Sequence, residues 1–308
     1  MGDVGEPALA RRAQGAAGYT PEWGGEPMSL KETFIVLVWA GVLSGCAAEV
    51  GDTEALEELV GESQGALLGG NALTANALNL NALNLNALNL NALNLNGLSA
   101  QNLAAIRDPG PSGALAREFM KYATSCALKS TASFNFSWTD ASGTVHNERY
   151  PGLLGAAPTW ANGPLDELGQ RMVSSCVAAR VNYYQVPVLL SARSLRDPLK
   201  TLSSSQELID YPDVEGAFWG NLFAAQPYVN ACYNSATVDN SRAYQRDCAA
   251  GHLMSDGQLV GCGVIRMVGP CSQVCQALNG AGQYYPSCVD RPGQSTATVK
   301  EVITTALP

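Results

Sequence analysis

The sequence predicts an α+β protein: a disulfide-stabilised body with two main helices and short strands, preceded by a short five-residue-repeat, β-solenoid-like element. Three observations lead there. Eight of the nine cysteines lie beyond residue 125, an even set that suits an oxidising compartment. Two segments space their apolar residues as helices do, each with a cysteine on the apolar face, and one aromatic segment alternates with period two. Ahead of them, leucines recur every five residues from Leu68 to Leu103.

The chain has 308 residues, room for one or two domains. It carries 18 basic and 27 acidic side chains, a formal charge of −9. No basic patch with interleaved aromatics is present, so no nucleic-acid partner is expected. Only 15% of residues are charged, low for a cytosolic globule, and the apolar content is sufficient for a core.

From Met28 the chain reads MSLKETFIVLVWAGVLSGCAAEV. Lys31 gives a short positive start, and residues 33–43 form an uncharged apolar run. That run is too short for a stable spanning helix but fits the core of a signal peptide. It leads into Leu43-Ser44-Gly45-Cys46. Residues 28–46 resemble a bacterial lipoprotein signal peptide with its lipobox. The resemblance implies removal of 28–45, acylation of Cys46 with palmitate among the acyl chains, and anchoring of the protein in a membrane. Ala47 in place of an aspartate resembles an outer-membrane sorting signal. Residues 1–27 are Gly/Pro/Ala-rich without sustained periodicity, and are read as an extension from a start assigned too early, Met28 being the true one. Residues 46–66 hold Glu49, Asp52, Glu54, Glu57, Glu58 and Glu62 with no base, and read as a solvated tether.

Residues 67–105 contain four copies of NALNL within a longer five-residue period. One register is Leu68, Leu73, Leu78, Leu83, Leu88, Leu93, Leu98 and Leu103; the other is Gly70, Ala75, Leu80, Leu85, Leu90, Leu95, Ala100 and Ala105. On a helix a step of five advances about 140° beyond a full turn, which scatters the leucines around it. On a strand, successive copies fall on opposite faces. A coil that turns a corner every five residues gathers them inside. The pattern weakly resembles pentapeptide repeats, with Leu80, Leu85, Leu90 and Leu95 central and Asn79, Asn84, Asn89 and Asn94 preceding them. Leu78, Leu83, Leu88 and Leu93 occupy the second inward position, where that family usually has alanine. An irregular repeat structure and a flexible tract are the alternatives.

The body, 106–230, opens after a Pro/Gly break. Residues 114–128 space Leu115, Phe119, Tyr122 and Cys126 along one helical face, with Ser112 placed to cap the start. TASFNFSW, 131–138, then a turn at Asp140-Ala141-Ser142-Gly143 and TVHNERY predict a β-hairpin. Residues 165–184 predict a second helix with Asp166 and Glu167 near its positive end and a stripe of Leu168, Met172, Cys176 and Ala179. Cys126 and Cys176 form the best candidate bridge. VPVLLSA, 186–192, reads as a strand; the segment after it reads as loop with a short helix; AFWGNLF, 217–223, is buried-looking and open in type. From 231 to 308 the texture changes. Cys232, Cys248, Cys262, Cys271, Cys275 and Cys288 crowd a Gly/Ser/Asn-rich stretch in which one strand is expected around 259–268. Disulfides supply stability where core is scarce. FMKYATSCAL, Trp160 with Asn162-Gly163-Pro164-Leu165, QRMVSSCVAARVN and EGAFWGNLF make the body similar to uncharacterised exported cysteine-rich proteins of myxobacteria, a likeness that brings no activity with it.

Chemistry is sparse. Cys271 and Cys275 stand in a CxxxC spacing with no nearby histidine but His252, so disulfides are favoured over a metal site. His146 and His252 are the two histidines, each read as a surface polar residue rather than a catalytic base, since no nucleophile elbow occurs. Asp213 and Glu215, among Tyr211, Phe218, Trp219, Phe223 and Tyr228, form the most cleft-like carboxylate pair. No dinucleotide or phosphate-loop motif is present, and no cofactor is expected. The expectation is a non-enzymatic binding or scaffolding lipoprotein at the outer membrane or cell surface, with its folded part in the periplasm or outside. Its partners would be the membrane through the lipid anchor and an envelope protein or glycan. An envelope hydrolase acting on peptidoglycan or polysaccharide is the alternative. An inhibitor-like module would instead show an exposed rigid loop between stapled cysteines.

Overall fold

The computed structural model describes residues 91–200, 205–294 and 298–308, together with the backbone of Ala72–Leu73. All of these belong to one compact unit, Ala55–Pro308. Cys46, the signal segment, the tether and the perfect NALNL copies up to residue 90 lie outside the described residues.

The described part of the ladder does not continue as a coil. Residues 91–99 are turns, and Ala100–Arg107 is a helix, α1. Leu93 and Leu98 are buried, but Leu95, expected to point inward, is exposed. The reason lies in Asn94: its Oδ1 accepts from the backbone N–H of Asn96 and Gly97, and its Nδ2 donates to the Ala161 carbonyl. These bonds close a tight turn that carries Leu95 outward. Ser99 then caps α1 by accepting from the Asn102 N–H at 3.1 Å.

α2 spans Pro111–Ala127. Ser112 does not cap it; Gly110 does, with Pro111 at the first helical position, where its missing N–H costs nothing. Gly113 lets the helix start pass close to Asp108, since a Cβ there would sit 1.8 Å from the Asp108 carbonyl oxygen. Arg117 reaches back to the Ile106 and Asp108 carbonyls and lies 3.5 Å over the Trp138 ring. The hairpin follows as expected, β2 (Ser133–Thr139) against β3 (Val145–Pro151). Phe134, Phe136 and Tyr150 bury its inner face.

α3 spans Glu167–Ala179, capped by Asp166, which accepts from the Gly169 N–H at 2.7 Å. Met172, Cys176 and Ala179 are buried, but Leu168 of the expected stripe is exposed in the first turn. The Cys126–Cys176 bridge joins α2 to α3, Cα to Cα 5.9 Å.

The remaining strands are β4 (Leu190–Arg193), β5 (Asp213–Asn221), β6 (Tyr228–Tyr233), β7 (His252–Leu253), β8 (Leu259–Val260), β9 (Ile265–Pro270), β10 (Cys288–Val289), β11 (Val299–Lys300) and β12 (Ile303–Leu307). Short helices α4 (Ser205–Asp210), α5 (Val238–Ala243) and α6 (Cys271–Val274) lie between them. With β1 for Ala72–Leu73, the main sheet runs β1-β4-β12-β5-β6-β9, antiparallel except for β6 beside β9. Alternation along the strands feeds two cores. Phe218, Val229, Ala231 and Ile303 face the layer of α2 and α3, while Ala217, Trp219, Cys232 and Val302 face the disulfide-rich layer with Cys271, Tyr285 and Cys288.

Three expectations change here. The strand set at 186–192 begins only at Leu190, because Pro187 has no N–H for a ladder. The strand at 259–268 divides into β8 and β9 around a turn at Cys262–Val264. The division between 230 and 231 runs through β6, and β12 sits between β4 and β5, so the C-terminal region shares the sheet with the body.

Candidate functional site

The eight cysteines from Cys126 onward form four bridges: Cys126–Cys176, Cys232–Cys271, Cys248–Cys262 and Cys275–Cys288. Two sets of metal-capable atoms come together among the described residues, Cys232/Cys275/Cys288 and Asp247/Cys248/Cys262, each within 4.8 Å. Their sulfurs are bonded in disulfides and offer no thiolate to a metal.

The Asp213/Glu215 pair does not open into a cleft. β5 runs between two layers, and Glu215 is fully enclosed. Its Oε2 accepts from Arg246 Nη2 at 3.1 Å, with both side chains 1% exposed. Asp213 instead accepts from Asn240 on α5. Tyr211, Phe218 and Trp219 are buried and Tyr228 is half-buried, its hydroxyl donating to Asp290 at 2.6 Å. His146 stacks on Trp138, rings 4.4 Å apart, and its Nε2 bonds Asp140 at 2.9 Å, which makes it a strut of the hairpin.

His252 departs from the expectation of a surface residue. Its side chain is only 13% exposed. Nδ1 bonds Asp247 Oδ2 at 2.8 Å, and the ring lies flat on Tyr183, centroids 3.7 Å apart and 11° from parallel. The Tyr184 hydroxyl donates to the same Asp247 oxygen at 3.1 Å. Burial, then the Asp247 charge, raises the Tyr184 hydroxyl pKa above the ordinary tyrosine value. The bond to Asp247 commits Nδ1 and leaves Nε2 as the nitrogen for acid–base work. Among the described residues no hydroxyl or thiol bonds that nitrogen, and the nearest sulfurs in sequence, Cys248 and Cys262, are bonded to each other.

A groove of about 470 Å³ is lined by Val186, Pro187, Val188, Leu189, Ala243, Tyr244, Gln245 and Pro308. Two turns build its walls. After α3, Asn182 accepts from the Tyr184 N–H and donates to the Val186 carbonyl, with Gln185 at φ 54°. After α5, Gln245 takes φ 57° and sends Arg246 into the core. Non-glycine residues at such φ store strain that the surroundings must hold. Arg246 supplies that hold. It donates to the Ala179 and Val181 carbonyls at 2.8 and 2.9 Å, and to Glu215, which locks both turns to β5. The hairpin β7–β8, closed at its base by Cys248–Cys262, leans on the Tyr183–Tyr184 turn through His252 and carries Leu253, Met254 and Leu259 exposed. Tyr184, Leu189 and Tyr244 are exposed as well, the last two in the lining of the groove.

Sequence reasoning missed Arg246, Tyr183, Tyr184 and the groove. The one available signal was Asp247 standing five residues before His252 across Gly251, whose φ of 90° makes the turn. Comparison with family models, curated proteins and solved structures finds no match. Among the described residues no helix is long and apolar enough to cross a membrane.

Proposed function

We propose that the chain is an exported, lipid-anchored protein of the bacterial cell envelope, held at the outer membrane through Cys46, and that its body is a binding or scaffolding module. One observation carries the reading: the eight cysteines from Cys126 onward close four bridges among themselves. An oxidising compartment favours those bridges, and a lone cysteine after an apolar run is what acylation requires. The groove supports binding, since ligand sites are concave and lined mainly by apolar side chains.

Intact-mass measurement of the membrane-extracted protein tests the anchor. The expected N-terminus is Cys46 with acyl mass, and Cys46→Ala is expected to remain an unprocessed precursor without acyl mass. A mature N-terminus elsewhere, or no acyl mass, defeats the anchor. Sedimentation with isolated, lipid-free sacculi tests the binding. The parent is expected to be retained and Leu189→Glu/Tyr244→Ala to be lost; equal retention of both proteins would exclude the groove as the binding face.

The Asp247–His252 pair favours a second reading, an envelope hydrolase with His252 as base. Release of soluble muropeptides or sugars by the parent, abolished in His252→Ala, would support it. No release by the parent removes it.

A further inference from the structure

Two of the bridges touch. Cys232 Sγ lies 3.5 Å from Cys275 Sγ, although Cys232 is bonded to Cys271 and Cys275 to Cys288. That is close to van der Waals contact between sulfurs of separate disulfides. The geometry follows from the fold. Cys232 lies in β6, Cys271 opens α6 directly after β9, and Cys275 ends α6 in a bridge with Cys288 of β10. The four sulfurs are packed under Trp219, Tyr285 and Val302.

Access is uneven. Of the eight bonded cysteines, seven are buried and Cys275 alone is half-buried. Thiol–disulfide exchange needs a thiolate that can reach a particular sulfur, so access selects the site of attack. Among the eight bonded cysteines, access therefore favours attack at Cys275.

We propose that the two bridges form one thiol–disulfide exchange site, entered at Cys275 by a dithiol and able to pass the opening on to Cys232–Cys271. The partner class is a small dithiol or a dithiol-bearing oxidoreductase. In the first step a thiolate of the dithiol attacks Cys275 Sγ. The bond to Cys288 breaks, and Cys288 leaves as thiolate. The second thiol of the reagent attacks the reagent's own sulfur in the mixed disulfide, closes the reagent's disulfide and frees Cys275 as thiolate. Cys275 then attacks Cys232 Sγ across the 3.5 Å gap. A Cys232–Cys275 bond forms, the Cys232–Cys271 bond breaks, and Cys271 leaves as thiolate. The dithiol has lost two electrons and two protons, which reside on the thiols of Cys271 and Cys288. The exchange changes which part of the chain is tied down. It moves the link on β6 from the start of α6 to its end and frees the bridge that closed residues 275–288.

The native, disulfide-intact mature protein is treated with limiting reduced dithiothreitol, quenched with iodoacetamide and mapped by peptide mass spectrometry. The expected first product carries a Cys232–Cys275 bridge with alkylated Cys271 and Cys288, while Cys126–Cys176 and Cys248–Cys262 stay closed. A first product with Cys232–Cys271 intact and alkylated Cys275 and Cys288 overturns the relay. So does prior opening of any other bridge. A second variant guards against kinetic loss of the intermediate. In Cys271→Ser, purified oxidised, Cys232 is left as a thiol beside Cys275. A population linked Cys232–Cys275 with free Cys288 is expected alongside Cys275–Cys288. Exclusive Cys275–Cys288 linkage counts against exchange.

Discussion

Replacing Arg246 by methionine probes the joint that holds the groove. Methionine keeps most of the length of the stem and removes the guanidinium. Three acceptors then lose a donor: the Ala179 and Val181 carbonyls and Glu215 Oε2. Glu215 suffers most. It is 1% exposed, and its other oxygen, Oε1, already has no hydrogen-bond partner. Breaking one side of a buried ion pair costs about 3–5 kcal/mol, because the remaining charge is desolvated without compensation. Removing both charges avoids that term. Glu215→Leu/Arg246→Met therefore leaves mainly the two orphaned carbonyls and is expected to be more stable than Arg246→Met alone by about 1–3 kcal/mol. Urea denaturation of the disulfide-intact protein, followed by the fluorescence of buried Trp160 and Trp219, gives the comparison. A single variant that loses under about 1 kcal/mol, or a double variant less stable than the single, would refute the assignment of Arg246 as partner of a buried charge.

Two further outcomes follow from the bridges and the hairpin. Cys126–Cys176 spans 50 residues and Cys248–Cys262 spans 14. Loop-closure entropy then assigns them about 4 and about 3 kcal/mol, so Cys126→Ala/Cys176→Ala should lower the urea midpoint more than Cys248→Ala/Cys262→Ala, and the reverse order would reject that account. Asp140 is held below the ordinary aspartate range by hydrogen bonds from the Ser142 hydroxyl, then His146 and the Thr144 N–H. A depressed folded pKa means that its contribution is complete above about pH 4 and is lost on acidification through the folded value. Cross-strand NMR contacts near the Asp140 turn should weaken only at strongly acidic pH, and Asp140→Asn should remove this pH dependence; weakening that begins above about pH 5 contradicts the sign.

Local patterns were readable where apolar residues recur at a regular spacing. α2 and α3 showed through their spacing, and the hairpin through alternating Phe134, Phe136 and Trp138. The Cys126–Cys176 bridge followed from two helices that each bury a cysteine. The reading failed at β5, both faces of which are covered. AFWGNLF had no period because β5 lies between two cores, so it resembled buried helix as much as buried strand. It also missed the turn at Asn94, which side-chain bonds to Asn96, Gly97 and Ala161 close.

By itself the sequence determined the even cysteine set, the two helices and the hairpin, all carried by short-range spacing and composition. Tertiary structure alone decided which sulfurs pair in the C-terminal region, since eight cysteines allow 105 pairings and spacing favours none of them. It alone placed β12 in the middle of the sheet, which makes the last residues part of the core. It also tied Arg246 to Ala179, Val181 and Glu215, and His252 to Asp247 and Tyr183. A charge partner, a ring stack or a neighbouring disulfide is a contact between distant parts of the chain. Only the folded backbone brings Glu215 to Arg246, Tyr183 to His252 and Cys232 to Cys275.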